Sequence, residues 1–218
     1  MMSIRILVAD DHKIFRDGLR NLLEQQEDMK VVGEVDNGRA AVELACRLAP
    51  HVAILDIGMP ELNGIDATKK LLADAPNVKV IALSMHSDRR FVEGMLQAGA
   101  VGYLLKDCAF DELAQAVRTA VAGQVYLSPA ISGVLVADYL KKSAATTADD
   151  SDVLTNRERE VLQLLAEGHS TKAVALRLQV SAKTIETHRQ RIMTKLDLHS
   201  IAELTKYAVR SGITSVEQ

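Results

Sequence analysis

Short apolar runs alternate with helix-like segments along the first 123 residues of this 218-residue chain. Five runs are short and apolar enough to be strands buried on both faces, at residues 4–9, 31–35, 52–55, 80–83 and 101–105. Between and after these runs, apolar residues recur at helical spacing. Parallel strands need crossover helices, and right-handed crossovers cover both faces of a sheet. The pattern therefore predicts an α/β domain with a doubly wound, five-stranded parallel sheet.

The rest of the chain has a different character. A connecting helix is predicted to end near Lys142, and residues 143–152 are polar without apolar periodicity, which is typical of a flexible linker. Beyond them every pattern is helical. We therefore predict a first domain at 1–123, a connecting helix and linker at 124–152, and an all-α second domain at 153–218.

Charge is distributed unevenly between these parts. Residues 153–218 hold 10 Lys and Arg against 7 Asp and Glu, a net charge of +3, whereas the other 152 residues hold 16 against 22, a net charge of −6. This asymmetry favours an anionic partner for the second domain alone.

Composition excludes several classes of protein. No apolar run approaches the 18–20 or so residues of a membrane span, so no membrane partner is expected. Two cysteines, Cys46 and Cys108, form no disulfide framework, and we expect a cytoplasmic, reducing location.

Polar residues follow four of the five predicted strands. Asp10 and Asp11 follow the first, Asp56 the third, Ser84 the fourth and Lys106 the fifth. The carboxyl ends of parallel strands share one edge, where ligands bind in open α/β sheets. Three converging carboxylates repel one another unless a cation intervenes, and oxygen ligands suit Mg²⁺. The Lys106 ammonium would balance charge on a transferring phosphoryl group, and the Ser84 hydroxyl could donate to it.

A simpler interpretation of these acidic residues exists, and other phosphate chemistries are possible in principle. Acidic residues after strands are often ordinary helix caps, but that leaves the combined pattern unexplained. Other phosphate chemistries lack their motifs, since the chain has no Walker A loop, no dinucleotide fingerprint, no nucleophile elbow and no His or Cys spacing typical of zinc.

Four separated motifs resemble the receiver domain of bacterial two-component response regulators. They are Val8-Ala9-Asp10-Asp11-His12, the run from Leu55-Asp56 to Asn63-Gly64, Leu83-Ser84, and Gly102-Tyr103-Leu104-Leu105-Lys106. The resemblance implies a flavodoxin-like sheet of order 2-1-3-4-5. It also implies that Asp56 is the phosphoacceptor and that Asp11, Asp56 and the Gly58 carbonyl hold Mg²⁺, assisted by Asp10.

The resemblance assigns further roles around that site. Lys106 would pair with the phosphoryl group, and Ser84 and Tyr103 would move on phosphorylation. An equally simple interpretation makes Tyr103 a half-buried aromatic residue at the sheet edge.

Helix caps organise the second domain. Thr155-x-x-Glu158 predicts a capping box that opens a helix ending at Gly168, Ser170 begins a second helix, and Ser181 caps a third that reaches about Leu196. Two short helices joined by a tight turn are typical of a helix-turn-helix. Residues 154–162 and 180–188 resemble the LuxR-type helix-turn-helix, so the whole chain is similar to the NarL/FixJ class of response regulators.

Helical spacing sorts the third helix, at about 182–196, into two faces. Ile185, Ile192 and Leu196 would face the core, with His188 and Arg189 on the flank. Such helices place outward polar side chains in the DNA major groove, although a solvated face is the simpler interpretation. The predicted DNA contacts are Lys183, Thr184, Glu186, Thr187, His188, Gln190, Arg191 and Lys195.

A fourth helix could close the core or face a second copy. The resemblance implies dimerisation through Ile201, Leu204, Thr205 and Ala208, and it implies a sensor histidine kinase, promoter DNA, a homodimer when phosphorylated, and RNA polymerase as partners. We therefore predict a transcriptional regulator rather than an enzyme, with weak self-dephosphorylation at most. The alternatives are a Mg²⁺ phosphohydrolase with Asp56 as nucleophile, which lacks a general acid at Gly58, and a DNA-binding scaffold independent of phosphorylation.

Overall fold

A computed structural model describes residues 3–85, 87–133 and 153–214. The chain divides into two compact units near residue 146. Most of the predicted connecting helix, and the linker at 143–152, lie outside the described residues. Every helix in the described part is too short or too polar to cross a membrane.

One parallel sheet organises the first unit. Its strands are β1 (Ile4–Ala9), β2 (Met29–Val35), β3 (Val52–Asp56), β4 (Lys79–Ser84), β5 (Gly102–Leu105) and β6 (Tyr126–Leu127). They lie in the order β2-β1-β3-β4-β5-β6, and each neighbouring pair is parallel. The predicted doubly wound sheet is therefore confirmed, with a sixth strand added at its edge.

Among the described residues, α-helices cover both faces of this sheet. They are α1 (Lys13–Glu24), α2 (Gly38–Leu48), α3 (Gly64–Asp74), α4 (Arg89–Gln97) and α5 (Ala109–Val121). Side chains alternate along each strand, so Ile6 and Val8 pack in the core with α1 and α5, whereas Leu7 and Ala9 pack in the core with α2, α3 and α4. This two-sided burial explains the unbroken apolar runs of the central strands.

Strand β6 was not predicted, because two residues are too few to show a periodicity. Tyr126 pairs with Gly102, and Leu127 pairs with Tyr103. The Tyr126 hydroxyl also donates to Glu112 Oε2 at 3.0 Å. β5 is therefore an interior strand.

Capped helices build the second unit. They are α6 (Asn156–Ala166), α7 (Thr171–Arg177), α8 (Ala182–Leu196) and α9 (Ile201–Arg210). The predicted capping box of Thr155 and Glu158 is present, and Ser170 and Ser181 cap α7 and α8. A second capping box, at Ser200 and Glu203, opens α9. The resulting core is aliphatic and includes Val161, Ile185 and Ile192.

The start of α3 lies directly against the end of β3. The Gly64 N–H donates to the Ile57 carbonyl at 2.9 Å. A Cβ atom at Gly64 would lie 2.3 Å from the Asp56 carbonyl oxygen and 2.8 Å from Ile57 Cα, both of which are backbone atoms. Only glycine allows this approach, so Gly64 fixes the backbone that carries Asp56.

We expect Gly64→Ala to destabilise the first unit by about 1–3 kcal/mol, because the new methyl group must push backbone atoms apart. Gly133→Ala is the matched control, since a Cβ there would meet no described atom within 4 Å. Urea unfolding of the full chain measures both changes. Equal midpoints for the two variants would contradict the proposed close approach.

Candidate functional site

A buried ion-pair cluster lies at the carboxyl ends of the strands. Asp10 follows β1, Asp56 ends β3 and Lys106 follows β5. The Lys106 Nζ atom lies 2.8 Å from Asp10 Oδ2 and 2.8 Å from Asp56 Oδ2. Asp10 is 0% exposed and Lys106 is 6% exposed. The structure thus brings together residues that the sequence analysis placed after three different strands.

Carboxylate oxygens beside this cluster could hold a cation. Ligand atoms of Asp10, Asp11, His12 and Asp56 all lie within 4.8 Å of one another. Asp10 Oδ2 and Asp11 Oδ1 are buried and receive no hydrogen bond of standard geometry, although the Lys106 ammonium lies near the first and His12 Nδ1 lies 2.8 Å from the second. Each carboxylate oxygen can still offer a lone pair, and carboxylate oxygens are the ligands that a hard cation such as Mg²⁺ prefers.

Gly58 lies beside the same oxygens. Its N–H is 3.4 Å from Asp56 Oδ1. A Cβ at Gly58 would meet only Asp56 Oδ2, at 3.9 Å. Gly58 offers backbone groups but no side-chain acid, so this position supplies no proton donor from a side chain.

The cluster perturbs the protonation of its own members. Burial raises the pKa of the Asp56 carboxyl, Asp10 adds to this effect, and Lys106 offsets only part of it. Burial by itself would lower the pKa of Lys106, but Asp56 and Asp10 outweigh burial, and the pKa is raised. Lys106 therefore stays charged, whereas the charged form of the Asp56 carboxyl is disfavoured.

Ser84 and Tyr103 lie on the adjacent strands β4 and β5. Both are buried, and Tyr103 is 0% exposed. Burial raises the pKa of Tyr103 to about 12, against a smaller opposite effect of its hydrogen bond with Ser84. The interpretation of Tyr103 as a half-buried residue at the sheet edge is wrong, because β6 pairs with β5 and the Tyr103 side chain is buried in the core.

An aromatic pair beside Lys106 was missed by the sequence analysis. Lys106 Nζ lies 5.0 Å from the centroid of the Phe15 ring. Phe15 and Phe110 meet edge to face, with centroids 5.7 Å apart and planes at 75°. The sequence signal that could have drawn attention to this pair is the small number of phenylalanines, since the chain has only three.

In the second unit, α8 presents the predicted polar face. Ile185 and Ile192 are buried in the core, as predicted. The exposed predicted contacts are Lys183, Thr187, Gln190, Arg191 and Lys195, and the half-buried ones are Thr184, Glu186 and His188.

Several side chains of α8 are engaged within the unit. The hydroxyls of Thr184 and Ser181 share a hydrogen bond of 2.8 Å, and Glu186 pairs with Arg189. Lys195 Nζ lies 2.7 Å from Glu158 Oε2, at the start of α6. Lys195 therefore also ties the end of α8 to the capping box.

The predicted dimer face of α9 needs a correction. Leu204 and Ala208 are 1% and 0% exposed and belong to the core of their own unit. A unit with so few helices needs them to close that core. Ile201, which is 51% exposed, and the half-buried Thr205 remain available on α9.

Comparison with known proteins covers both units. Residues 6–118 match the response regulator receiver domain family, and residues 152–208 match the bacterial regulatory proteins of the luxR family. The transcriptional regulatory protein DegU of Brevibacillus brevis is 33% identical, over 98% of this chain and 96% of its own length. The response regulator GacA of Pseudomonas aeruginosa is 37% identical, over 96% of this chain and 97% of its own length.

Solved structures of RcsB are also similar. RcsB of Salmonella typhimurium is 29% identical, with a TM-score of 0.59, over 96% of this chain and all of that one. RcsB solved in complex with DNA is 29% identical, with a TM-score of 0.59, over 94% and 97% of the two chains. Another structure contains two RcsB dimers bound to two parallel DNAs.

We expect Mg²⁺ to raise the melting temperature of the first unit, because a ligand that binds only the folded state stabilises it, by about 2.7 kcal/mol at 100 times its Kd. Asp56→Asn and Asp11→Asn should abolish most of this shift. Without Mg²⁺, Asp56→Asn should melt above the unchanged protein, because it removes a buried charge whose pKa burial raises.

Scanning calorimetry of the full chain measures these shifts, and Asp74→Asn, at an exposed position, is the control. An undiminished Mg²⁺ shift in both Asp56→Asn and Asp11→Asn would place the cation elsewhere.

Proposed function

The chain belongs to the response regulators that join a receiver domain to a LuxR-type DNA-binding domain, and we propose that phosphorylation of Asp56 controls its binding to promoter DNA. One observation carries this proposal. At the carboxyl ends of the strands, the Lys106 ammonium lies 2.8 Å from both Asp56 and Asp10. A sensor histidine kinase or a small acyl phosphate would supply the phosphoryl group.

Phosphoryl transfer uses the Asp56 carboxylate as nucleophile. A lone pair of one Asp56 oxygen forms the new O–P bond, while the bond from phosphorus to the donor imidazole nitrogen breaks and its electrons stay on the imidazole. Lys106 faces the transferring oxygens with a fixed positive charge. Asp11, Asp56 and the Gly58 carbonyl, with Asp10 in support, would hold Mg²⁺, which would supply further positive charge opposite those oxygens.

The protein is therefore a substrate of phosphoryl transfer rather than an enzyme, in keeping with its relatives among transcriptional regulators. A dedicated phosphohydrolase needs a general acid beside its nucleophile, and Gly58 has no side chain to provide one. Slow self-dephosphorylation by water is the only turnover we propose.

Phosphorylation of Asp56 would affect DNA binding by changing the surface of the receiver domain. Ser84 lies on β4, the strand next to β3, and its side chain forms a hydrogen bond with Tyr103. If Ser84 turns toward the phosphoryl group, that hydrogen bond changes, and the surface over β5 changes with it. We propose that this promotes a homodimer in which α9 contributes Ile201 and Thr205. The RcsB dimers bound to DNA support the assignment.

Promoter DNA would be contacted by α8 in the major groove. The RcsB–DNA complex supports this assignment. A protein that binds promoter DNA would act in the bacterial cytoplasm, and RNA polymerase would be a further partner. The proposed contacts are Lys183, Thr184, Glu186, Thr187, His188, Gln190, Arg191 and Lys195.

Incubation with an acyl phosphate and Mg²⁺ should add one phosphate to the chain, which intact-mass measurement detects. Asp56→Asn should abolish the addition, because an amide cannot form the acyl phosphate. Asp74→Asn, at the exposed end of α3, should label fully. Full labelling of Asp56→Asn would overturn the assignment of the phosphoacceptor.

Substitutions on α8 should separate affinity from specificity. Lys183→Ala should weaken binding to all sequences and lower the salt slope by about one unit, because a phosphate contact is lost. Gln190→Ala or Thr187→Ala should leave that slope unchanged but cost about 1–3 kcal/mol at particular base pairs. Competition binding against operators with single-base changes, at two salt concentrations, measures both. A changed base preference in Lys183→Ala alone would contradict the assignment.

A further inference from the structure

Among the described residues, three groups lie beside the Lys106 ammonium. Two are the carboxylates of Asp10 and Asp56, each 2.8 Å from Nζ. The third is the Phe15 ring, whose centroid lies 5.0 Å away, with Nζ over the ring. With only 6% of Lys106 exposed, little of the ammonium is left to water.

The Phe15 ring is itself held in place. Phe110, from the start of α5, meets it edge to face at 5.7 Å, a favoured aromatic geometry. Gly18, one helical turn after Phe15, leaves room for Phe110, because a Cβ there would lie 3.1 Å from two atoms of the Phe110 ring. Residues of α1 and α5 thus build the aromatic support together.

We propose that Phe15 is a positioning residue for phosphoryl transfer, whose ring face holds the Lys106 ammonium against Asp56. This inference rests on the function proposed above. An aromatic face attracts a cation through its quadrupole. It competes only weakly for N–H groups, unlike water or a third carboxylate. The ring therefore occupies one side of the ammonium while its N–H groups stay directed at the carboxylates and the incoming phosphoryl oxygens.

Replacing Phe15 by progressively fluorinated phenylalanines tests the electrostatic part of this role. Fluorine withdraws electron density from the ring face but changes the ring size little, so folding is preserved. The phosphorylation rate with acetyl phosphate and Mg²⁺ should fall stepwise with fluorination, by about 5- to 30-fold overall. A small donor makes the measurement independent of any protein surface that a kinase contacts.

Conventional variants give the matched comparison. Phe15→Leu should slow phosphorylation as much as full fluorination does, Phe15→Tyr should restore the native rate, and Phe110→Leu should slow it less. Ile14→Ala is the control, since Ile14 is the preceding residue on α1 and is 90% exposed. A slow Phe15→Leu beside native rates across the fluorinated series would show a packing role only, and the proposal would be wrong.

A second measurement does not depend on phosphorylation. The Phe15 ring current should shift the Lys106 Cε protons in the NMR spectrum of the native chain. The shift should persist in Phe15→Tyr and vanish in Phe15→Leu. If the native chain takes up no phosphate, the proposed function fails, and these shifts still test the contact. If it takes up phosphate while neither rate nor shift responds to Phe15, the proposed role of Phe15 alone is overturned.

Discussion

The ion pairs of Lys106 with Asp10 and Asp56 are the constraint on which the receiver site depends. Each carboxylate is buried, so removing Lys106 would leave both buried charges without their shared ammonium. Lys106 therefore cannot be lost without cost, and yet one ammonium cannot balance all the carboxylates around it. The remaining negative charge is what the pocket offers to a divalent cation. Burial is the main reason that the pKa of Asp56 is raised, and the negative charge of Asp10 adds to it.

The parallel sheet makes this crowding unavoidable. The carboxyl ends of parallel strands lie on the same side of the sheet. Asp10, Asp56 and Lys106 lie at the ends of β1, β3 and β5, so they converge although they are distant in sequence. Close backbone contacts then hold the edge in place, as at Gly64, where a single added methyl group would collide with the Asp56 carbonyl. Rigid support of this kind is what a site needs if it is to hold a nucleophile and a cation at fixed separation.

Helix caps fix where the helices of the second unit begin. Within residues 153–214, α6 follows an N-cap at Thr155, and α7, α8 and α9 each follow a serine N-cap. Glu158 links local and tertiary order, because it completes the capping box of α6 and also pairs with Lys195 on α8 at 2.7 Å. Burial would raise the pKa of Glu158, but Lys195 and Thr155 hold it below its usual range. A side chain predicted for DNA contact thus also orients the helix that carries it.

The sequence by itself determined the alternation of strands and helices, the strand-end residues Asp10, Asp56, Ser84 and Lys106, and the caps at Thr155 and Ser181, because each is recorded within a few neighbouring residues. Only the tertiary structure decided the aromatic face over Lys106, the pairing of Lys195 with Glu158, the strand at Tyr126–Leu127 and the burial of Leu204 and Ala208. Each of these depends on packing between elements far apart along the chain. A local pattern fixes which face of a helix is apolar, but not which other element will cover that face.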